Sequence, residues 1–389
     1  MKRILDNHSL ANSIAAVAVT LIAVSAVFVF SASARITADY DLQKFYTYPE
    51  FRQLIFCVLA VIIMFAVSTF NYRWLGFKSF DWVAILQNPL SYLLIVSIIL
   101  LIAVLIPGIG TEINYARRWL RTPVGPITIN FQPSELAKWV MILFLSAIAV
   151  KKAEKSELTL FFKSFVPIMV LIGLVAGLIL LEDFGTAAFV AMVSLLIVFI
   201  AGGRWWHFLT PIPAIIAAGA AAIMQSPERI ERVKVFFCPG EGSAQAAGYQ
   251  VRQSLIAIST GEIFGKGIGS GISKYGHLPE DTTDFIFAII AEELGFIGVV
   301  SIILLFVLLI VLGIMTIRRS GDNLGKVMAF GITFAIATQA AVNLGVVTRL
   351  LPTKGIALPF ISAGGSHLLL TAAAVGILMN IARKSENLK

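Results

Sequence analysis

Between His277 and Gly298 the chain reads HLPEDTTDFIFAIIAEELGFIG and carries five carboxylates: Glu280, Asp281, Asp284, Glu292 and Glu293. That is a dense cluster for a chain with 22 acidic residues in 389. The first three sit in a polar run and the last two inside an apolar one. A carboxylate at the mouth of an apolar segment can serve as general base to a hydroxyl nucleophile. It can equally be a first-turn residue answering the positive end of a helix. Asp284 admits both readings, with Asp281 or Thr282 as the cap. Glu292 and Glu293 lie about 12–14 Å further along a helix, too far to share one bond-making event with Asp284. Ionised groups at that depth call for cations on another element, and Lys138 is a possible partner.

Three more polar islands interrupt the apolar chain. In ARRWLRTPVGPITINFQPSELAKW, Pro133, Ser134 and Glu135 read as a helix start. Lys138 follows Glu135 by three residues, so the two can pair. An ionisable Lys138 one turn into an apolar helix is also a functional candidate. Arg117, Arg118 and Arg121 cluster just before it. In LEDFGTAAF, Glu182 and Asp183 either solvate a tight turn, cap the next helix or face a ligand. LLPTKGIALPFISAGGSH carries Lys354, Ser362, Ser366 and His367 among prolines and glycines that forbid a regular helix. Such backbone near membrane depth must be buried in protein or line a wet cavity. A loop upstream of Asp284 holds glycines 265, 267, 269 and 271, a pattern like a phosphate-binding run. No strand precedes it, so no dinucleotide fold is indicated. In the same loop VRQSLIAIS reads as an interfacial amphipathic helix or as packing for the loop.

These islands need a scaffold, and composition names it. Hydrophobic residues make up 58% of the chain and charged residues 13%, with mean hydropathy +0.89. A soluble domain cannot cover that much apolar surface. Ten apolar segments are long enough to cross a bilayer: 11–33, 52–70, 84–107, 134–150, 161–181, 185–202, 207–224, 285–316, 326–348 and 367–383. The expectation is an all-α polytopic membrane protein forming one domain over 1–389. The Lys/Arg bias puts both termini in the cytoplasm and the long loop at about 225–284 outside. All four islands then fall at outer helix ends. The cations that break the bias, Arg117, Arg118, Arg121, Arg349 and Lys354, suggest an anionic ligand there. Cys57 and Cys238 imply no disulfide framework. No histidine stands at ligand spacing from another metal-binding side chain, so zinc is not indicated.

Taken together, ARRWL…QPSELAK, DFGTA, LPEDTTDFIFAIIAEELGFIG and LLPTKGIALPFISAGGS resemble the shape, elongation, division and sporulation (SEDS) family, whose members are of the FtsW, RodA and SpoVE types. The resemblance covers about residues 15–383. PTKGIALP and GKGIGSGISK lean towards the FtsW and SpoVE types. The resemblance implies a peptidoglycan glycosyltransferase that polymerises lipid II with undecaprenyl pyrophosphate as leaving group. It implies Asp284 as the essential aspartate, and Glu135, Lys138, Asp183, Lys354 and Ser362 as motif residues. Arg117 and Arg118 join them as cations for the pyrophosphate. The chain departs from the family pattern at Glu182, where proline is usual, and at Ala363 and His367, which replace an aromatic and a serine.

The chemistry suits these residues. The donor's α-linked carbon becomes β-linked, so the displacement inverts. Pyrophosphate leaves without a general acid, so one carboxylate base is enough. Cations absorb the leaving charge. No organic cofactor is required, and a divalent cation such as Mg or Mn is left open. Implied partners are lipid II, a class B penicillin-binding protein and other divisome or elongasome membrane proteins, with no nucleic acid. The implied location is the bacterial inner membrane, with the site on the extracytoplasmic face. The competing reading is a flippase for lipid-linked oligosaccharide, for which Glu292, Glu293, Lys138 and broken helix ends would line a path.

Overall fold

The computed structural model describes residues 7–33, 48–79, 85–113, 116–124, 127–237, 246–275, 278–353 and 355–384. Among them the chain forms α1 (Asn7–Ser33), α2 (Pro49–Thr69), α3 (Pro89–Leu105), β1 (Gly110–Ile113), β2 (Ala116–Val124), β3 (Ile127–Phe131) and α4 (Pro133–Glu154). There follow α5 (Val166–Leu180), α6 (Phe184–Ile200), α7 (Ile212–Met224), α8 (Pro227–Phe237), α9 (Ala246–Thr260), α10 (Ile286–Arg319), α11 (Asn323–Val347) and α12 (Gly365–Lys384). Eight helical stretches are long and apolar enough to cross a membrane, and α3 and α6 are shorter apolar helices. These ten match the ten apolar segments. The two remaining helices, α8 and α9, lie in the long polar loop.

Local sequence sets several of the helix starts. Proline at the first turn opens α2, α3, α4 and α5, where a missing N–H costs nothing. Asn88 caps α3 by accepting from the Leu90 N–H, and Asp322 caps α11 by accepting from that of Gly325. Of the spans, α4, α11 and α12 are the most buried and α7 is the least. α12 packs on α1 and α2, α11 on α4 and α10, and α6 on α4 and α5.

The sheet is an addition to the expected helical architecture. β1, β2 and β3 form a three-stranded antiparallel sheet, with Leu120 opposite Phe131 and Arg121 opposite Asn130. The ARRWLR cations are therefore strand residues. Alternating side chains aim them at two different faces. TPVGPITINF, with its Gly-Pro pair followed by a β-branched run, carried the hairpin signal.

A break in α10 explains the glycine-rich loop. Gly295 has φ +65°, which interrupts the helix. Lys266 and Gly267 donate their backbone N–H groups to the Glu292 and Glu293 carbonyls (both 3.0 Å). The N–H groups of Phe296 and Ile297 donate back to the Glu262 and Ile263 carbonyls (2.9 and 3.2 Å). The loop thus satisfies backbone groups that a broken membrane helix would leave bare. A Cβ on Gly265 would fall 2.2 Å from the Glu293 carbonyl oxygen, so only glycine admits this approach. Gly265 and Gly271 pack the loop against the helix. Ser254 of α9 donates to the Val347 carbonyl (2.9 Å), and α9 packs on α10 and α11.

Candidate active site

Asp284 lies on the wall of a cleft of about 580 Å³. Ala116, Arg118 and Trp119 of β2 line it, as do Glu135 and Lys138 of α4. So do Asp183 and Thr186 at the head of α6, Arg229 and Arg232 of α8, and Gly355 to Ala357. The four polar islands therefore meet in one cavity.

The position of Asp284 differs from the sequence expectation. α10 begins at Ile286, its cap residue is Phe285, and neither Asp281 nor Thr282 caps it. Asp284 precedes the helix in a tight turn in which the Glu280 carbonyl accepts from the N–H groups of Thr283 and Phe285 (3.2 and 3.1 Å). Three neighbours fix the turn. Ser362 Oγ donates to the Thr283 carbonyl (2.6 Å), the Ala363 N–H to the Thr282 carbonyl (2.9 Å), and Asn343 Nδ2 to the Asp284 carbonyl (2.8 Å). The carboxyl is half-buried, and the cleft leaves it little water. Burial, with repulsion from Glu280 and then Asp183, raises its pKa from 3.8 to about 7, against the opposing pull of Arg118 and Arg232. The first-turn dipole effect expected to favour the charged form is overridden.

The other expected residues divide. Arg118 lines the cleft, and its Nε donates to the Glu182 carbonyl (3.0 Å). Arg117 does not line it: its guanidinium pairs with Glu112 (3.2 Å), its cross-strand neighbour on β1. Its backbone N–H takes the Glu182 carboxylate (2.6 Å), so the residue found where proline is usual pins the sheet to the α5–α6 turn. Asp183 caps α6, accepting from the N–H groups of Gly185 and Thr186 and from the Thr186 hydroxyl. Ser362 is fully buried behind the cleft and braces the Asp284 turn. Lys354 lies outside the described residues.

Lys138 and Glu135 form a buried pair (2.7 Å), and Lys138 also donates to Gln339 Oε1 (3.1 Å). His367 Nδ1 stands 3.0 Å from Glu135 Oε2. This cluster ties α4, α11 and α12 together at the cleft. It also corrects the pairing expected for the deeper acids. Glu292 pairs with Lys266 (2.7 Å), and the wholly buried Glu293 pairs with Lys274 (3.0 Å) and accepts from Ser31. Both lysines come from the glycine-rich loop, so Glu292 and Glu293 tie that loop to α10.

Sequence reasoning missed Arg229 and Arg232. They sit three apart on α8, so they share one face, and that face borders the cleft. PERIERVKVFF is strongly amphipathic, which was the available signal. Asn343 was also missed; its amide nitrogen bridges the Asp284 and Ile356 carbonyls (both 2.8 Å). Among the described residues no group of three or more His, Cys, Asp or Glu side chains could hold a metal ion.

The FtsW/RodA/SpoVE family model, described as cell cycle protein, matches residues 11–387. The chain belongs to this family. It is 36% identical over 366 residues to stage V sporulation protein E of Bacillus subtilis (strain 168), covering 94% of each chain. It is 36% identical over 381 residues to a probable peptidoglycan glycosyltransferase FtsW of Geobacter metallireducens, covering 98% of this chain and 96% of the relative. A chain from a solved peptidoglycan synthase complex that coordinates polymerization and crosslinking superposes with TM-score 0.72, at 26% identity, over 96% of this chain and 98% of that one. The crystal structure of the rod shape determining protein RodA of Thermus thermophilus superposes with TM-score 0.64, at 25% identity, over 96% and 97%. The two FtsW/SpoVE relatives match over nearly their whole lengths, in line with the type that the PTKGIALP motif indicates.

Proposed function

We propose that this FtsW/RodA/SpoVE family member is a peptidoglycan glycosyltransferase that polymerises lipid II, with Asp284 as the general base. One observation carries the assignment of roles: a single carboxylate with raised pKa shares one cleft with Arg118, Arg229 and Arg232. Asp284 accepts the proton of the acceptor sugar's 4-hydroxyl as its oxygen attacks the donor anomeric carbon. The new C–O bond forms on the face opposite the departing pyrophosphate oxygen, so the α-linkage becomes β. The C–O bond to pyrophosphate breaks, and its electrons leave on the phosphate, where the arginines meet the charge with forked donors. The proton on Asp284 then passes to water. A carboxyl titrating near neutrality both accepts and releases it readily.

Lys138, with its amine engaged by Glu135 and Gln339, shapes the cleft wall and does not offer a free ammonium to phosphate. Lys354 is retained as a phosphate contact on the family resemblance. A polymerase of this kind works at the extracytoplasmic face of the bacterial inner membrane. Its partner is a class B penicillin-binding protein, within the divisome or elongasome.

A flippase is the weaker reading. Glu292 and Glu293, the acids best placed for a transport path, are sealed by the glycine-rich loop. The deciding experiment supplies purified protein, alone and with a class B penicillin-binding protein, with labelled lipid II. Glycan polymer from the parent chain supports the proposal. Lipid translocation without polymer under both conditions refutes it.

A further inference from the structure

Apart from the titrating carboxylate and the arginines, the cleft has a second kind of wall. His367 is 4% exposed and lines the cleft. Its Nδ1 faces Glu135 Oε2 at 3.0 Å, while its Nε2 has no hydrogen-bond partner. Asn130 lines the same cleft, and its Oδ1 is likewise buried and unpartnered. The segments that carry them meet at the cleft, where the Gln132 backbone N–H, two residues past Asn130, points at Ser366 Oγ (3.4 Å), next to His367.

The tautomer follows from the partners. Glu135 also holds Lys138 at 2.7 Å, and a neutral imidazole offers one donor and one acceptor. Glu135 is an acceptor only, so Nδ1 carries the proton and Nε2 presents a lone pair. His367 Nε2 and Asn130 Oδ1 are then two acceptors without donors, buried where they line a substrate cleft. Phosphate, which also brings acceptors, cannot satisfy them. A group rich in neutral O–H and N–H donors can.

We infer that His367 and Asn130 form a saccharide subsite that reads the hydroxyl or acetamido N–H groups of an amino sugar, separate from the arginine side that takes pyrophosphate. The inference rests on the glycosyltransferase reading and adds to it a specificity-determining residue, at a position where the family pattern carries serine. Phe56, Trp119 and Phe189 add apolar faces to the same cavity, as sugar rings require.

The test uses full-length protein with two probes, the lipid-free GlcNAc–MurNAc disaccharide and inorganic pyrophosphate. Each is scored by thermal shift and as an inhibitor of lipid II polymerisation. His367→Phe keeps a ring and leaves Glu135 its lysine. It should weaken disaccharide binding and raise the lipid II KM about tenfold, the loss of one buried hydrogen bond. kcat should stay within about twofold and pyrophosphate binding should be unchanged. His367→Gln, which can return a carbonyl acceptor, should recover most of the loss. Unchanged disaccharide binding in a folded His367→Phe protein overturns the inference. So does an equal loss of pyrophosphate binding, which would mean that the cleft had merely collapsed. Thermal shift does not need turnover, so a parent protein that binds the disaccharide yet makes no polymer refutes the polymerase reading alone.

Discussion

Gly355 stands against Asp284: a Cβ built on the glycine would meet Asp284 Oδ2 at 2.8 Å. The loop that follows Lys354 therefore sets the height of the proposed base. Gly355→Ala should push the carboxylate aside without touching the arginines. Misplacement of about 1 Å can cost as much as 10²-fold, so kcat should fall roughly 10–100-fold with KM little changed. Steady-state polymerisation kinetics read both constants, and an unchanged kcat would show that the carboxylate position does not matter.

The raised pKa of Asp284 gives the reaction a pH signature. The base acts as carboxylate, so kcat/KM should rise with pH and be half-maximal near pH 7. After burial, the charge of Glu280 does most to hold that pKa up. Glu280→Gln should move the acidic limb of the profile to lower pH. A limb that stays in place would remove Glu280 from the electrostatics of the site.

Linkage yields a companion result in stability. Folding raises the Asp284 pKa from 3.8 to about 7, so the folded state holds this proton more tightly than the unfolded chain. The stability that this group contributes is present below about pH 4 and is lost as pH rises through about 7. Asp284→Asn, free of that loss, should melt at or above the parent temperature at pH 8. A lower melting temperature would mean that the carboxylate is structural.

The membrane spans, the four islands and Asp284 were legible because apolar length and motif spacing are one-dimensional signals. What sequence could not give was partnership. Lys138 and Glu292 are compatible by charge, yet Lys138 is taken by Glu135 and Glu292 by Lys266. The helix break at Gly295 decided this, since it docks the glycine-rich loop and its two lysines on α10. Arg117 was misplaced because a cluster of cations in the sequence does not say which face of a strand each will take, and Arg117 stands opposite Glu112. Asp284 was assigned to a first helical turn, but the turn at Glu280, whose φ is +56°, moves the cap from Asp281 or Thr282 to Phe285, three or four residues later.

The Lys274 and Glu293 pair is wholly buried, with 0% of either side chain exposed. Lys274→Met leaves an uncompensated charge, which should cost about 3–5 kcal/mol. Lys274→Met with Glu293→Gln removes both charges and should recover most of it. Melting curves in detergent compare the two. Equal destabilisation in both would show that the charges are not what matters.

Arg232→Gln should raise the lipid II KM and weaken inhibition by inorganic pyrophosphate, whereas Arg117→Gln should leave both near parent values. Their relation to the cleft is opposite, Arg232 lining it and Arg117 pairing with Glu112 outside it. The reverse ranking in inhibition assays would contradict the proposed leaving-group site.

Asp284→Asn tests the central claim most directly, because it keeps the shape of the side chain and removes the proton acceptor. The purified variant, shown by its melting curve to be folded, is supplied with labelled lipid II and a class B penicillin-binding protein, and glycan polymer is quantified. General-base catalysis is typically worth about 10²–10⁴-fold, so the rate should fall by that order while lipid II binding and partner binding persist. Polymerisation at near the parent rate would contradict the account.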